Sequence, residues 1–337
     1  MVNYKSDYLK LKNEVDSLKQ NYKFQGLWHF TDFDNLASIF KEGCLLSRQE
    51  CVTNHIDFVD GAEPDIINHT NGIILQSTRF YYRPQTPTLF NNEGIKSLAY
   101  QNKVHISRPV YLLFSDELIY SEATYFSDGN ARHHLTNMGN GLDFFCNIEW
   151  ANVFHNTSIP EYFEEEAKRN IIRCRQAELL SPEKVQLNKY LKNIIFRSKA
   201  DLKQANYLLG ESTLYQVNEG VFSDKDRLPM DDKNYNNFIS DYGYRVFTNG
   251  LGVILYLKRP LNNYKITFNI VDKSGVLVGP LHLDLNWKYI LRDKYDKETN
   301  LVSDTAAVVF WFDPNIVQGN NVAFYLNNQL SVIIPVD

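Results

Sequence analysis

Cysteine is scarce in this chain, and what there is does not pair: Cys44, Cys51, Cys146 and Cys174 are scattered, with no Cys-x-x-Cys spacing. That excludes a disulfide framework and a zinc knuckle, and predicts reduced thiols in a cytoplasmic protein. Long apolar runs are missing too. No stretch reaches the roughly 18 residues of a membrane span, and the first dozen residues are polar rather than leader-like. No membrane partner is therefore expected. An excess of positive charge is also absent, with 35 Lys and Arg against 40 Asp and Glu for a net charge of −5. Such a balance argues against a broad duplex-DNA binder, whose affinity rests on many phosphate contacts. Small basic clusters remain, at Arg79 with Arg83 and over Lys168, Arg169, Arg173 and Arg175.

Several chemical signatures are lacking as well. There is no Gly-x-x-x-x-Gly-Lys phosphate loop, no Gly-x-Gly-x-x-Gly turn and no Gly-x-Ser-x-Gly elbow. His55 and His69 have no partners at metal-ligand spacing, and the adjacent His133 and His134 would point apart on a strand. No metal is expected.

What is present is aromatic and apolar. The 337 residues are 44% hydrophobic and hold 21 Tyr and 21 Phe, enough for two domains with β-rich interiors. Residues 4–22 carry Tyr4, Tyr8, Leu11, Val15, Leu18 and Tyr22 at helical spacing, the stripe of a helix packed on the body of a domain. A strand at 27–31 precedes a helix opened by Asp32 or Asp34 and closed by Gly43. Residues 47–77 are polar and poorly periodic, and read as a long loop. Arg79 starts a strand broken by Pro84 and Pro87, and 109–114 is a buried strand. Thr124 to Phe126 leads into the Ser127-Asp128-Gly129-Asn130 turn. A helix is predicted over 161–173, with Glu164/Lys168 and Glu165/Arg169 supports, then strands at 177–180 and 193–197 and a helix at 199–209. Beyond about residue 215, alternating segments at 252–257, 264–271, 322–326 and 330–336 indicate a mostly β domain, with Asn327-Asn328 as a hairpin turn.

Two short runs stand out chemically. In Leu27-Trp28-His29-Phe30-Thr31, strand alternation sends His29 and Thr31 to one face and Trp28 and Phe30 to the other. In Gln176-Ala177-Glu178-Leu179-Leu180 a single carboxylate sits among apolar neighbours, where burial is costly unless it is paired or used. A lone strand histidine is commonly structural, and a lone Glu after a helix is commonly a surface charge. Together they supply hydrogen bonding and acid–base chemistry for a polar ligand.

In order along the chain, these runs resemble the DarT family of toxin ADP-ribosyltransferases. The resemblance is carried by His29-Phe-Thr with Asn35-Leu36 and Gly43, then Phe80-Tyr-Tyr-Arg-Pro-Gln-Thr-Pro-Thr-Leu, then Phe126-Ser-Asp-Gly-Asn-Ala, then Arg175-Gln-Ala-Glu-Leu. It covers roughly residues 24–200. It implies an α+β fold with an ADP-ribosyltransferase-like split, mixed β core and helices, followed here by the mostly β C-terminal domain. The expected division is an N-terminal helix over 1–23, the transferase over 24–212 and a β-rich accessory domain over 213–337. The implied activity is transfer of ADP-ribose from NAD to a base of single-stranded DNA, as a toxin or phage-defence effector countered by a macrodomain antitoxin. The alternatives are RNA or protein acceptors, or a decayed transferase that serves as a binding protein.

By motif position the resemblance assigns NAD to His29, Phe30, Thr31, Ser38 and Leu46, and makes Glu178 the catalytic glutamate. The family's arginine has three contenders, Arg48, Arg79 and Arg83; Arg79 is taken as catalytic and Arg48 as an NAD contact. Tyr82, Arg83, Asn130 and Arg175 are assigned to the nucleic acid. Two departures bear on base preference: Gln85 stands where many relatives have a basic residue, and Asn130 where some have His.

Overall fold

The structure, a computed structural model, describes residues 4–61, 70, 72–95, 106–222, 238–247, 250–258, 266–278, 295–296, 301–302 and 305–336. His69 and the start of the strand expected at 264 lie outside the described residues. The chain forms two compact units. One comprises Met1–Asn91, Val110–Ile195 and Val221–Ser223; the other comprises Asn92–Pro109, Phe196–Gly220 and Asp224–Asp337.

The first unit opens with helix α1 (Tyr4–Tyr22). Its C-terminal half buries Val15 and Leu18, while Tyr22 lies flat against Phe154 with ring centroids 5.0 Å apart. Strand β1 (Leu27–Asp32) follows. The Asp32 side chain then caps the next turn by accepting from the Asp34 N–H. Helix α2 (Leu36–Glu42) ends at Gly43, whose φ of +66° lets its N–H close back on the carbonyls of Ile39 and Phe40. After β2 (Cys44–Leu45) the expected long loop instead begins with a helix, α3 (Arg48–Thr53). Ser47 and Glu50 make a reciprocal capping box at its start, a Ser-x-x-Glu signal that stands in the sequence.

Strand β3 (Thr78–Tyr81) then leads into the proline segment, which forms a short helix at Pro87–Asn92. Next come β4 (Pro109–Phe114), buried along its whole length, β5 (Tyr125–Ser127) and β6 (Met138–Gly139). Helix α4 (Glu165–Cys174) starts four residues later than expected, because 161–164 form a turn with Glu164 as the cap. Its support is Lys168 on Glu165 at 2.9 Å, three residues apart rather than four. Strands β7 (Glu178–Ser181), β8 (Val185–Gln186) and β9 (Leu191–Phe196) complete the unit. The sheet order within it is β9-β4-β1-β3-β7-β5-β6. Strand β7 is thus central, antiparallel to both β3 and β5. It pairs Tyr81 with Glu178 and Arg79 with Leu180. Strands β1 and β3 share one register pair, Trp28 with Tyr81, among the described residues.

The second unit contains helix α5 (Lys199–Leu209), capped by Ser198, and strand β10 (Tyr215–Val217). Its β strands are β11 (Phe238–Phe247), β12 (Gly250–Lys258), β13 (Ile266–Val271), β14 (Tyr295–Asp296), β15 (Leu301–Val302), β16 (Thr305–Phe312), β17 (Asn321–Leu326) and β18 (Gln329–Pro335). Two three-stranded antiparallel sheets, β11-β12-β16 and β13-β17-β18, share one core. Phe268, Phe310, Phe312 and Phe324 meet in it, with Phe268 and Phe312 edge to face at 4.9 Å. Asn327 and Asn328 turn the β17–β18 hairpin with φ of +48° and +64°, the left-handed pair that a two-residue turn demands.

Candidate active site

Strand β3 carries the centre of the site. The Arg79 side chain reaches Glu178 on β7, donating from Nε to Oε2 at 2.6 Å and from Nη2 to Oε1 at 2.5 Å. Glu178 is wholly buried, and this two-point pairing is what a buried carboxylate requires. Burial opposes the Arg79 charge, but the attraction of Glu178 outweighs it and keeps the guanidinium firmly protonated. The same surroundings push the Tyr81 phenol up, through burial first and the Glu178 charge second.

The backbone of Glu178 is fixed separately. Ser127 on β5, itself fully buried, accepts from the Glu178 N–H at 3.0 Å and donates to the Gly129 carbonyl at 2.7 Å. The turn beyond it is braced by Arg173, whose Nη1 donates to Asp128 at 2.6 Å. Gly129 has no room for a side chain there: an added Cβ would lie 2.7 Å from Arg173 Cγ.

His29 on β1 meets β3 from the other side. Its Nδ1 lies 2.9 Å from the Arg79 carbonyl oxygen, so in the neutral ring Nδ1 carries the proton and Nε2 is left as an acceptor. Burial holds the imidazole below the ordinary histidine range, only partly offset by that hydrogen bond, which keeps the ring neutral. Strand alternation holds as read: His29 packs near Phe80, while Phe30 stacks on Tyr81 at 5.4 Å and 9°.

His29 and Arg79 line one cavity of about 170 Å³ together with Leu46, Arg48, Thr78 and Arg132. Arg48 holds Asp60 in an ion pair and covers the Phe58 ring. The Thr78 hydroxyl, buried in the wall, makes no hydrogen bond to the described residues. Three guanidinium groups, one neutral imidazole and an unused hydroxyl suit a ligand rich in phosphate and ribose oxygens. Arg132 was not legible as a site residue. It follows the Asp-Gly-Asn turn, and only the fold carries it round to Arg79, whose charge lowers its own pKa after burial does.

The remaining expected residues lie elsewhere. Thr31 is committed to Asn35, accepting from its Nδ2 at 2.9 Å. Asn35 in turn clasps Val59 through both its N–H, at 2.7 Å, and its carbonyl, at 3.0 Å. Ser38 is half-buried on α2 and is not part of the cavity wall. Tyr82, expected at the nucleic acid, is 1% exposed and packs edge-on against Trp150 at 4.9 Å, so it has no open face. Tyr81 and Phe126 are buried as well. Arg83 and Arg175 both bind the 153–157 segment. Arg83 donates to the carbonyls of Val153 and His155, and Arg175 donates to Thr157 O and lies 2.5 Å from His155 Nδ1. Burial and the neighbouring Arg175 pull Arg83 down to about 10. Both arginines act as backbone ties here. Asn130 donates to Gln176 Oε1 at 3.2 Å, an oxygen that also accepts from Thr88 at 2.6 Å. That places Asn130 and Gln176 in one polar chain two residues from Glu178. His133 and His134 do not point apart: they sit in a turn and stack at 4.6 Å.

Residues 28–223 match the family model described as ssDNA thymidine ADP-ribosyltransferase, DarT. The chain belongs to the DarT family. DarT proteins are NAD-using enzymes that transfer ADP-ribose to single-stranded DNA, and this chain is an ADP-ribosyltransferase of that kind. No curated protein matches it. Among solved structures it is similar to Thermus sp. 2.9 DarT in complex with carba-NAD+, at 14% identity and a TM-score of 0.44, covering 58% of this chain and 97% of that one. The same Thermus protein in complex with ADP-ribosylated ssDNA matches at 17% identity and a TM-score of 0.45, covering 60% and 97%. Thermosipho africanus DarTG in complex with ADP-ribose matches at 19% identity and a TM-score of 0.44, covering 58% of this chain and 49% of that one. Family membership rests on the 28–223 match. No helix among the described residues is long and apolar enough to cross a membrane.

Proposed function

We propose that this DarT-family chain transfers ADP-ribose from NAD to a thymine in single-stranded DNA, with Glu178, Arg79 and His29 as its working residues. The single observation that carries the reading is the junction at Arg79, which touches Glu178 through its side chain and His29 through its carbonyl. NAD is the substrate, and no metal is assigned a role.

The roles follow from the geometry. His29 Nε2, on the cavity wall, accepts a hydrogen bond from a ribose hydroxyl of NAD. Arg48 and Arg132 face the pyrophosphate, and the Thr78 hydroxyl supplies one more contact. As the bond between the ribose carbon and the nicotinamide nitrogen breaks, positive charge builds on the ribose. The Glu178 carboxylate stabilises that charge more in the transition state than in the ground state. A base nitrogen then bonds to the ribose carbon, and its proton passes to Glu178 as general base. Arg79 must release at least one carboxylate oxygen for this, and the phosphates offer its guanidinium a replacement partner. Arg79 is favoured over Arg83, which is spent on the 153–157 backbone, and over Arg48, which is held by Asp60.

In the cell we place the chain in the cytoplasm, as a toxin or phage-defence effector that damages single-stranded DNA and is reversed by a macrodomain antitoxin. The first unit holds the transferase and the second is accessory.

The test is incubation of the purified chain with NAD and oligonucleotides that contain or lack thymidine, with RNA and protein as control acceptors. Mass spectrometry should show one ADP-ribose added to thymidine-containing DNA and none in Glu178→Ala. Labelling of RNA or protein instead, or undiminished labelling by the variant, would overturn the assignment.

A further inference from the structure

The first unit takes in a short piece of chain that is cut off in sequence from the rest of it. Val221–Ser223 belongs to this unit, although the chain leaves it at Phe196 and leaves it again at Asp224. Within that piece the Phe222 side chain is fully buried, with its ring 5.2 Å from Tyr111 on β4. Tyr111 begins a row of rings that crosses the sheet. It meets Phe30 on β1 edge to face at 6.4 Å, and Phe30 stacks on Tyr81 of β3 at 5.4 Å. Tyr81 pairs directly with Glu178 of β7, and residues paired in that way share a face of the sheet. Strands β4, β1, β3 and β7 are consecutive in the sheet, so the row that starts at Phe222 ends beside Glu178.

Phe222 is held through its backbone as well. Gln85 Nε2 donates to the Phe222 carbonyl at 2.9 Å, and the Gln85 N–H donates to the Tyr111 hydroxyl at 2.9 Å. Gln85 has a φ of +58°, in the left-handed region that few residues other than glycine, asparagine and aspartate enter. The residue is exposed, so these two hydrogen bonds, rather than burial of its side chain, favour the turn. The turn leads into the short helix at Pro87–Asn92, where Thr88 donates to Gln176 at 2.6 Å and also meets the Tyr81 hydroxyl. Gln176 stands two residues before Glu178. Both routes out of Phe222, the row of rings and the Gln85 turn, thus meet around Tyr81 and Glu178.

We propose that Phe222 is a positioning residue of the transferase, a proposal that rests on Glu178 as the working carboxylate. By closing the row of rings and tethering the Gln85 turn, it keeps Tyr81, Thr88 and Gln176 in place around Glu178. Interiors are close-packed, so a ring lost from one end of the row lets its neighbours relax into the space and passes the displacement along. A shift of about 1 Å at the reacting groups can cost roughly 100-fold in rate. Phe222, Tyr111, Phe30 and Tyr81 are not among the residues that line the cavity assigned to NAD. Removing Phe222 should therefore slow turnover and leave NAD binding alone. The competing reading is a ring that only fills a hole, which lowers the melting temperature and leaves kcat at the parental value while the chain is folded. Gln85, being exposed, has a second reading as a direct nucleic-acid contact, which acts on KM for the oligonucleotide instead.

The test uses the full chain, labelled NAD and a thymidine-containing oligonucleotide, at a temperature where circular dichroism shows each variant folded. Phe222→Ala should lower kcat about tenfold or more, with KM for NAD within about twofold of the parent. Phe222→Leu, which refills most of the space, should recover kcat to within about threefold of the parent. Gln85→Gly accepts the left-handed turn without strain but loses the tether, so kcat should fall about threefold or more with no loss of melting temperature. Phe324→Leu, in the core of the second unit, is a destabilised control whose kcat should stay within about twofold of the parent. Parental kcat in either Phe222→Ala or Gln85→Gly would overturn the proposal. So would a loss that falls on KM for NAD, or one that the Phe324→Leu control shares. A Gln85→Gly defect confined to KM for the oligonucleotide would make Gln85 a direct contact and overturn the tether. Should Phe222→Ala fail to fold, Gln85→Gly decides by the same criterion. Undiminished labelling by Glu178→Ala would remove the reading on which the proposal rests. Labelling that depends on Glu178 but not on Phe222 would overturn the proposal alone.

Discussion

Arg79 holds both carboxylate oxygens of Glu178 across the β3–β7 ladder, at 2.6 and 2.5 Å. The register places these residues diagonally, since Glu178 pairs directly with Tyr81 and Arg79 with Leu180. Replacing Glu178 with Gln keeps the shape and removes the charge. Transfer of ADP-ribose to an oligonucleotide should fall by at least about 100-fold. Stability should fall too, by less than the roughly 3–5 kcal/mol of a fully enclosed pair, because Arg79 keeps 27% of its side chain exposed. Labelled-NAD transfer and thermal melting of the same preparation check both.

Arg79→Lys separates charge from geometry. Lysine retains the cation but cannot grip a carboxylate or a phosphate at two points. The expected result is a drop of about tenfold or more in kcat/KM for NAD, with the larger share of the rescue over Arg79→Ala seen in KM. Identical kinetics for Lys and parent would remove the two-point role.

Ser127→Ala tests a residue that touches no substrate. Loss of the hydroxyl leaves the buried Glu178 N–H without its acceptor, at a cost of about 1–3 kcal/mol. Turnover should fall with little change in KM for NAD, and Ser127→Thr should restore part of it. A parental kcat in the alanine variant would show that β7 holds Glu178 without help.

The pH dependence follows from His29. Burial depresses its pKa in the folded chain below the ordinary value of 6.5, so the unfolded chain binds more protons as pH falls through 6.5. Its contribution to stability is complete above that value and is lost on acidification toward the folded pKa. Melting temperature should therefore decline below about pH 6.5 in the parent, and His29→Asn should decline less steeply.

Gly129→Ala places a methyl group within 2.7 Å of Arg173 Cγ and 2.9 Å of Thr136 Oγ1. Accommodating it should disturb the Arg173–Asp128 pair and cost about 1–3 kcal/mol, readable as a lowered melting temperature.

Legibility in the sequence tracked how local each signal is. The helix at 4–22, the stop at Gly43 and the Asn327-Asn328 turn are set by neighbouring residues, and each stands where the sequence puts it. The alternation of His29 against Phe30 also held. Strands β11 and β16 were not marked from sequence, although they carry much of the second core. Tyr82 and Arg83 looked like ligand contacts because aromatic and basic residues side by side suit nucleic acid. Which of them faces solvent depends on Trp150 and the 153–157 segment, some 70 residues away. Arg132 was invisible for the same reason, since its place beside Arg79 is a product of chain folding alone.

Asn35 has one more consequence. By clasping Val59 from both sides, while Arg48 holds Asp60, it gives the chain a fixed take-off point just before Gly61. Because Asn35 also donates to Thr31 on β1, the strand that carries His29 and the helix that carries Arg48 are tied to one short stretch of backbone.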